Sequence, residues 1–441
     1  MSTTETICAL ASSSGNASVA IIRLSGPQSL AIAQRITNKK LKPRYAHFVS
    51  FYDEQGQIID QGIAIYFPAP HSFTGEEVIE FQPHGNPYIC QQIIHCMTQQ
   101  GARHALAGEF SERAFLNGKL DLVQLEAIAD LISSGSEQAA RSAVQSMQGK
   151  FSQRVNDLLQ QLIQIRTHVE ATLDFADEDI ETETRETVHT KLIALTQQVA
   201  ELLDLAQKGA QLQKGYTVVL TGQPNVGKSS LFNLLCEQDR AIVTNIPGTT
   251  RDVVSVDLQF DGVPIRLLDT AGIRDNAEHV EQEGITRAQS AVETADIVIK
   301  MFDAIALQAD HVFEEKSITT IQVVNKSDLL EHDMSLPAHV VYMSAKTEQG
   351  VEQLREQIQL ALHIQPSDQQ APFSARVRHI HALERCLKHI EQADEQLLAE
   401  APLELTAEEL RLSQQTLSEI TGEFTPDDLL DYVFREFCIG K

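Results

Sequence analysis

The stretch that most restricts the fold is VVLTGQPNVGKSSLFNLL, residues 218–235. Its apolar start predicts a buried strand, G-x-x-x-x-G-K-S runs from Gly222 to Ser229, and helical periodicity follows at once. Glycines in such a turn let backbone N–H groups approach phosphate oxygens. Lys228 is then expected at the β- and γ-phosphates, and the Ser229 hydroxyl is expected to bind Mg²⁺. This stretch predicts a phosphate-binding loop inside an α/β domain.

A second motif identifies the base. The apolar run VVNKSD ends in Asn-Lys-x-Asp, from Asn325 to Asp328. A carboxylate such as Asp328 can accept hydrogen bonds from guanine N1–H and the 2-amino group together, whereas adenine offers no such pair. MSAK follows another strand, and its Ser344 to Lys346 is similar to the loop that contacts guanine O6 in GTPases. The two motifs, in this order, predict a GTP site.

Two candidate switch segments lie between these motifs, in TTRD and LLDTAG. The Thr250 hydroxyl is expected to complete the Mg²⁺ shell, Asp269 to hold Mg²⁺ through water, and the Gly272 N–H to sense the γ-phosphate. Two strands joined at Asp261-Gly262 are predicted to lead into the second switch, as in Ras-like GTPases. The residues predicted to contact GTP are Asn225, Val226, Gly227, Lys228, Ser229, Ser230, Thr244, Asn245, Ile246, Pro247, Gly248, Thr249, Thr250, Asp269, Thr270, Ala271, Gly272, Asn325, Lys326, Asp328, Ser344, Ala345 and Lys346.

The residue after DTAG departs from the Ras pattern, since Ile273 stands where those enzymes place the glutamine that orients the attacking water. Either hydrolysis is slow or another group serves. Arg251 and Arg274 flank the switches, while Glu281 is chemically better suited because a carboxylate accepts a hydrogen bond from water. Its alternative role is that of a solvated helix residue. Asn225 is either a turn former or an oxygen ligand for a monovalent cation.

The segments around this module differ in pattern. Residues 1–117 carry short β-like runs such as VAIIRL and GIAIYF, which predict an N-terminal α+β domain. Amphipathic helical patterns follow in 118–210 and return in 375–441, on either side of a Ras-like module at 211–374. The sequence therefore predicts a helical domain interrupted by an inserted P-loop GTPase domain.

Composition limits the location and the partners. The formal charge of -26 argues against broad, sequence-independent nucleic-acid binding, though not against a small local site or RNA held by a basic partner. The acidic run from Asp174 is read as a solvated loop, with a metal site as the less favoured alternative. The six cysteines form no CxxC pair, and the chain has neither a basic n-region nor a membrane-length apolar stretch. A reducing cytoplasm is expected, with no membrane partner.

The module resembles the TrmE-Era-Obg-like GTPases, and GQPNVGKSSLFN, IPGTTRD and DTAGIR point to one branch of them, the MnmE (TrmE) family of tRNA modification GTPases. HSFTGEEVIEFQPHGN, AGEFSERAFLNGKLDLVQLEAIADLI and the terminal CIGK resemble signatures of that family outside the module. The resemblance thus spans all of the chain. One departure is Asn86, which follows His84-Gly85 where a second glycine is expected.

The resemblance implies a modification enzyme. With a flavoprotein partner (MnmG, or GidA), the family adds an aminomethyl or carboxymethylaminomethyl group at C5 of wobble uridine in certain tRNAs. The tRNA is expected to be held mostly by the partner. The resemblance also implies that the N-terminal domain is similar to folate-binding enzymes, and that the carbon comes from a tetrahydrofolate derivative of the 5,10-methylene or 5-formyl type. By position, Arg23, Glu80, Lys119 and Lys441 match residues associated with the folate.

The resemblance also addresses the missing glutamine. In the family, the GTPase modules form a homodimer across the nucleotide face and bind K⁺, which supplies positive charge at the phosphates. Asn225, Thr244, Ile246 and Thr249 match the K⁺ ligands, and Glu281 matches the water-orienting carboxylate.

Cys438 of the terminal CIGK has three candidate roles: a lipid-attachment site, part of a frayed helix end, or a reactive thiol. Prenylation is excluded because Ile-Gly-Lys does not match the required box. A frayed helix end remains open, since Gly440 after an apolar helix resembles an ordinary stop. The resemblance implies instead a functional thiol near the folate, so Cys438 is a candidate catalytic residue.

Two competing functions need fewer of these features. A regulatory switch, for example in ribosome assembly, needs only residues 211–374, and the N-terminal and terminal motifs argue against it. A folate-dependent transferase with a vestigial GTPase is disfavoured by the complete set of nucleotide motifs.

Overall fold

The computed structural model describes residues 5–13, 15–174, 184–238, 254–260, 263–269, 291–306, 319–329, 337, 339–362, 372–422 and 440. The chain divides into two compact units. The first comprises Met1–Ala129, Val155–Glu170 and Ala407–Lys441, and the second comprises Asp130–Arg154 and Ala171–Thr406. The four segments expected from the sequence differ from this division and stay a prediction.

A six-stranded sheet forms the centre of the first unit, with strand order β3-β4-β5-β2-β1-β6. Its strands are β1 Ile7–Leu10, β2 Ile22–Ser25, β3 His47–Tyr52, β4 Ile58–Phe67, β5 Val78–Gln82 and β6 Arg103–His104. Neighbouring strands pair antiparallel except β1 and β6, which are parallel. The β-like runs predicted within residues 1–117 are confirmed.

The two faces of this sheet carry different residues because side chains alternate along each strand. Helices α1 (Ser29–Thr37) and α2 (Pro87–Gln99) cover one face, with Ile22, Leu24 and Phe81 in a common core. Between Ile22 and Leu24, Arg23 belongs to the other face. The sheet thus leaves Arg23 outside the main core.

Asn86 has a structural explanation. Its side-chain oxygen accepts hydrogen bonds from the N–H groups of Tyr88 and Ile89, so it is the N-cap of α2, and Pro87 occupies the first turn. A glycine has no side-chain oxygen and could not accept these two hydrogen bonds. Gly85, in contrast, is required, because a Cβ there would lie 2.5 Å from the Ala17 carbonyl oxygen.

Helices occupy much of the chain from Glu109 to Lys214. They are α3 Glu109–Leu116, α4 Leu122–Ser133, α5 Glu137–Met147, α6 Lys150–Asp174 and α7 Arg185–Lys214, and the last four confirm the helical pattern predicted in 118–210. In α7 the buried positions recur at three- and four-residue intervals, from Val188 through Leu192, Leu195 and Val199.

The second sheet belongs to the nucleotide module, with strand order β12-β11-β10-β7-β9-β8. Its strands are β7 Tyr216–Gly222, β8 Val254–Phe260, β9 Val263–Asp269, β10 Ile297–Asp303, β11 Thr320–Asn325 and β12 Val341–Tyr342, with helices α8 Lys228–Gln238 and α9 Val351–Ala361. All neighbours pair parallel except β8 with β9. The predicted strand pair and the Ras-like mixed sheet are confirmed; the turn at Asp261-Gly262 lies outside the described residues.

Two further helices follow the module, α10 Val377–Leu398 and α11 Leu403–Thr421. Helix α10 packs along α7, which precedes the module in sequence. His189 Nδ1 and Asp394 Oδ1 of these helices lie 2.6 Å apart. The helical domain is therefore interrupted by the module. The predicted helix from Thr425 and most of the acidic run from Asp174 lie outside the described residues.

The described ranges bear on two expectations from composition. No helix there is long and apolar enough to cross a membrane. The five cysteines described there, namely Cys8, Cys90, Cys96, Cys236 and Cys386, are all free thiols.

Candidate functional site

The phosphate loop connects the end of β7 to the start of α8 and depends on close backbone approaches. A Cβ on Gly222 would lie 2.5 Å from the Met301 carbonyl oxygen, and one on Gly227 would lie 2.2 Å from Asn325 Nδ2. Both glycines have positive φ, at 146° and 98°. Asn225 also has positive φ, at 64°, and its side chain is exposed. The loop therefore curves tightly, with its backbone free to meet a ligand.

The Lys228 ammonium lies over this loop. Its Nζ donates to the carbonyl oxygens of Gly222 at 3.1 Å and Gln223 at 2.9 Å, and the side chain is buried. The positive charge is thus held where phosphates bind in a loop of this kind.

Ser229 and Asp269 meet at the same edge of the sheet, where the carboxyl ends of β7 and β9 adjoin. The Ser229 hydroxyl donates to Asp269 Oδ2 at 3.2 Å. A hydroxyl and a carboxylate are oxygen donors of the kind that Mg²⁺ prefers, so the pair fits the metal that the GTPase family implies. The two side chains would hold it directly or through water.

Asn325 joins the phosphate loop to the guanine-binding loops. Its side-chain Nδ2 donates to the Val226 carbonyl oxygen at 2.9 Å, and its Oδ1 accepts from the Ala345 N–H at 2.9 Å. The bond to Val226 is buried and therefore shielded from water, whereas the bond to the Ala345 N–H is half-buried. This one side chain therefore sets the spacing between the phosphate and base ends of the site.

The carboxylate that the motif predicts to read the base is held by the following loop. The Ser344 hydroxyl donates to Asp328 Oδ1 at 2.6 Å and accepts from the Thr347 N–H at 3.2 Å. The structure brings Asn325, Asp328 and Ser344 together, as their motifs predict.

Asp303 was missed by the sequence reasoning. Its Oδ2 lies 2.7 Å from Lys326 Nζ, and its Oδ1 accepts from the Ile305 N–H at 3.0 Å. Burial opposes ionisation, but these hydrogen bonds outweigh it and hold the pKa of Asp303 below its ordinary value. The available signal was an aspartate closing the apolar run of β10. The ion pair fixes the Lys326 side chain beside the guanine-binding strand.

Several predicted site residues lie outside the described residues. They are Thr244, Asn245, Ile246, Pro247, Gly248, Thr249, Thr250, Thr270, Ala271, Gly272, Ile273, Arg251, Arg274, Glu281, Cys438 and Lys441. Their proposed roles stay predictions.

A second group of predicted residues lies in the first unit. Arg23 of β2 faces Glu80 of β5 across the strand pair, and Arg23 Nη2 lies 2.8 Å from Glu80 Oε1. Both side chains are mostly buried, and the Arg23 guanidinium carbon lies 4.8 Å from the centre of the Phe73 ring and 5.7 Å from that of Phe110. The arrangement offers a carboxylate and a cation beside two aromatic faces.

Lys119 lies against the loop that carries Phe73. Its Cδ would be 3.3 Å from a Cβ at Gly75, and Asn117 Nδ2 donates to the Thr74 carbonyl oxygen at 2.7 Å. Three predicted folate residues, Arg23, Glu80 and Lys119, are therefore grouped around residues 72–76.

A chain of charges beneath this loop was not found from sequence. Arg113 Nη1 lies 3.0 Å from Glu76 Oε2, and Arg113 Nη2 lies 3.0 Å from Glu109 Oε1. Burial opposes ionisation of Glu109, but hydrogen bonds, first from Arg103 and then from the Leu106 N–H and Arg113, hold its pKa below the ordinary value. The i, i+4 spacing of Glu109 and Arg113 on α3 was the readable signal.

The only described residue of the terminal motif, Gly440, packs on β1. A Cβ there would lie 2.0 Å from the Leu10 carbonyl oxygen and 3.0 Å from the Ala11 Cα, and its φ is 100°. Leu10 also lines a cavity of 540 Å³ beside α2. Arg23, Glu80 and Lys119 are not among the residues that line this cavity, so it is separate from their group.

Comparisons with known proteins cover the parts of the chain that carry both groups of residues. Residues 6–119 match the model of the GTP-binding protein TrmE N-terminus, and residues 122–438 match that of the MnmE helical domain. The chain is 46% identical over 453 residues to the tRNA modification GTPase MnmE of Saccharophagus degradans, covering 100% of this chain and 99% of the relative. It is 45% identical over 456 residues to the protein of that name from Vibrio cholerae, covering all of both.

Among solved structures, the FeoB G domain of Methanococcus jannaschii covers 34% of this chain and 97% of its own, at 22% identity and a TM-score of 0.23. This structural similarity is too low to support an inference. The full-length matches and the two family models show that this chain belongs to the MnmE (TrmE) family.

Proposed function

We propose that this GTPase is activated by K⁺ and acts in tRNA modification, adding an aminomethyl or carboxymethylaminomethyl group at C5 of the wobble uridine, position 34. It works as a homodimer with a flavoprotein partner, and the carbon comes from a tetrahydrofolate derivative. One observation carries the proposal. The same chain holds a GTP site and, in the part that matches the TrmE N-terminus, an Arg23–Glu80 pair beside two aromatic rings.

The residues of the first unit fit a folate. A pterin is flat and presents adjacent N–H donors, which suit the Glu80 carboxylate, while the partly exposed Phe73 offers apolar surface and the buried Phe110 supports the pair from behind. Arg23 and Lys119 suit the anionic glutamate tail. When bound, the folate supplies the one-carbon unit. The protein's side chains bind and orient it, and Lys441 and Cys438 are assigned to the same site on resemblance.

The nucleotide module fits activation by a monovalent cation. Asn225 is exposed and held in the left-handed region, which leaves its amide oxygen available beside the phosphate loop. With Thr244, Ile246 and Thr249 it would hold K⁺, whose charge offsets that developing on the phosphates. Glu281 would orient the attacking water in place of the glutamine that Ile273 replaces.

Titration of 5-formyltetrahydrofolate into the full chain tests the folate assignment. A hydrogen bond to a charged group contributes about 1.5–3 kcal/mol, so Glu80→Gln should weaken binding about tenfold or more. Glu54→Gln, at an exposed carboxylate of the same unit, is the matched control and should bind as the wild type does. Unchanged affinity in Glu80→Gln contradicts the assignment.

Hydrolysis rates in KCl and NaCl at equal ionic strength test the cation. Hydrolysis should be faster in KCl, because K⁺ replaces the charge that other GTPases obtain from an arginine. Equal rates would remove K⁺ from the proposal without affecting the folate assignment.

A further inference from the structure

The loop between α1 and β3 concentrates positive charge in a strongly acidic chain. Lys39, Lys40, Lys42 and Arg44 fall within residues 39–44 with no acidic residue among them, although the formal charge of the chain is -26. All four side chains are exposed. The side chains of Lys40 and Lys42 make no hydrogen bond or ion pair with any residue that the structure describes. They are therefore free to meet an anionic partner.

The backbone of this loop is fixed by hydrogen bonds. The Lys42 N–H donates to Nε2 of the buried His47 at 2.7 Å, and the Arg44 N–H donates to the Tyr66 carbonyl oxygen at 2.8 Å. The Arg44 guanidinium donates to the His71 carbonyl oxygen, so this cation stabilises the loop. The lysines thus project from a preorganised loop, which lowers the entropy cost of binding.

Two exposed aromatic side chains adjoin the lysines. Tyr45 is 58% exposed, and Phe48, on the edge strand β3, is 67% exposed. Lys39 Nζ donates to the Phe48 carbonyl oxygen at 3.2 Å, so the cationic and aromatic groups are contiguous. Exposed aromatic rings beside lysines are the combination on which unpaired bases stack while phosphates are neutralised.

We propose that the surface formed by Lys39, Lys40, Lys42, Tyr45 and Phe48, here called the α1–β3 basic surface, binds the phosphate backbone and unpaired bases of tRNA. The proposal rests on the proposed function in tRNA modification, and it adds a contact made by this chain itself. An anionic lipid surface is disfavoured, because the segment is a short fixed loop and not an amphipathic helix. The charge of the rest of the chain confines the contact to this local surface.

A double variant with a charge-matched control tests the lysines. Binding of fluorescently labelled tRNA to the full chain is measured by anisotropy between about 50 and 200 mM KCl. Each phosphate contact contributes about 0.7–0.9 to the salt slope and about fivefold to the affinity at 0.15 M salt. Lys40→Ala with Lys42→Ala should therefore weaken binding about 25-fold and flatten the slope by about 1.6. Lys150→Ala with Lys388→Ala, at exposed lysines elsewhere, should change neither.

Phe48→Ala separates stacking from charge. It should weaken binding about fivefold or more and leave the salt slope unchanged. Three results would overturn the proposal: no tRNA binding by the wild type, equal losses in the control pair, or preference for phosphatidylserine vesicles over tRNA. The double variant should hydrolyse GTP at the wild-type rate. Failure of the proposed function would show separately: cells that lack the chain would still contain wild-type levels of C5-modified wobble uridine.

Discussion

Removal of the Asn325 side chain tests the architecture of the nucleotide site. In Asn325→Ala, the buried Val226 carbonyl oxygen loses its donor and the Ala345 N–H loses its acceptor. A buried group left without a partner costs about 1–3 kcal/mol, and the half-buried Ala345 N–H, which water can reach, costs about 0.5–1.5. The expected total is therefore about 1.5–4.5 kcal/mol.

This cost divides between two measurable quantities. If the two loops stay in place without nucleotide, the free energy of unfolding falls; if they separate and GDP must reorder them, nucleotide affinity falls instead. Even the lower limit, taken wholly from binding, is about a tenfold weaker Kd, since about 1.4 kcal/mol is tenfold. Fluorescent GDP titration gives the affinity, and urea unfolding followed by circular dichroism gives the stability.

Asn233→Ala is the matched control, because Asn233 is an exposed asparagine on α8 of the same module. Its effect on either quantity should stay within about 0.5 kcal/mol. If Asn325→Ala behaves like this control in both assays, the bridge between the loops does not hold the site together, and the reasoning is refuted.

Three further predictions concern individual carboxylates. Asp328→Asn should shift preference from GTP towards xanthosine triphosphate, measured by competition binding, because the amide donates to the xanthine oxygen. Glu281→Ala should abolish turnover while GTP binding survives, measured by phosphate release and nucleotide titration. Because folding lowers the pKa of Glu109, the ionised carboxylate stabilises the fold fully at pH values above the ordinary pKa of 4.5. This stabilisation is lost as the pH falls through the pKa of the folded state. The unfolding midpoint of the wild type should thus fall more steeply below about pH 4.5 than that of Glu109→Gln.

Each of these has a contradicting outcome. Unchanged GTP preference would remove Asp328 from base reading, and wild-type turnover would remove Glu281 from the mechanism. Glu293→Ala, at an exposed glutamate, is the control for Glu281. Parallel pH profiles for the wild type and Glu109→Gln would contradict the ion-pair account of its pKa.

Local sequence was sufficient to predict the helices, the strands and the loops that carry the nucleotide motifs. The glycines of the phosphate loop could be assigned because strand, turn and helix are contiguous, and the chemistry of each residue follows from its place in that turn. The Asp328 loop was predictable for the same reason, since the motif directly follows an apolar strand.

Contacts between distant segments could not be predicted in this way. The pairing of Arg23 with Glu80 depends on the register of β2 with β5, which pairs residues 57 apart in the sequence. The double role of Asn325 depends on three strand ends meeting at one edge of the sheet. Asp303 escaped notice because a single aspartate after an apolar strand has no motif to mark it. The contacts of Arg23, Asn325 and Asp303 therefore depend on strand register and strand order, which residue type alone does not reveal.

The most direct test of the central claim is nucleoside analysis of tRNA from cells that lack this chain. Loss of C5-modified wobble uridine, restored by the wild type and not by a variant defective in GTP hydrolysis, is the predicted result. Wild-type levels of the modified nucleoside in those cells would contradict a role in tRNA modification.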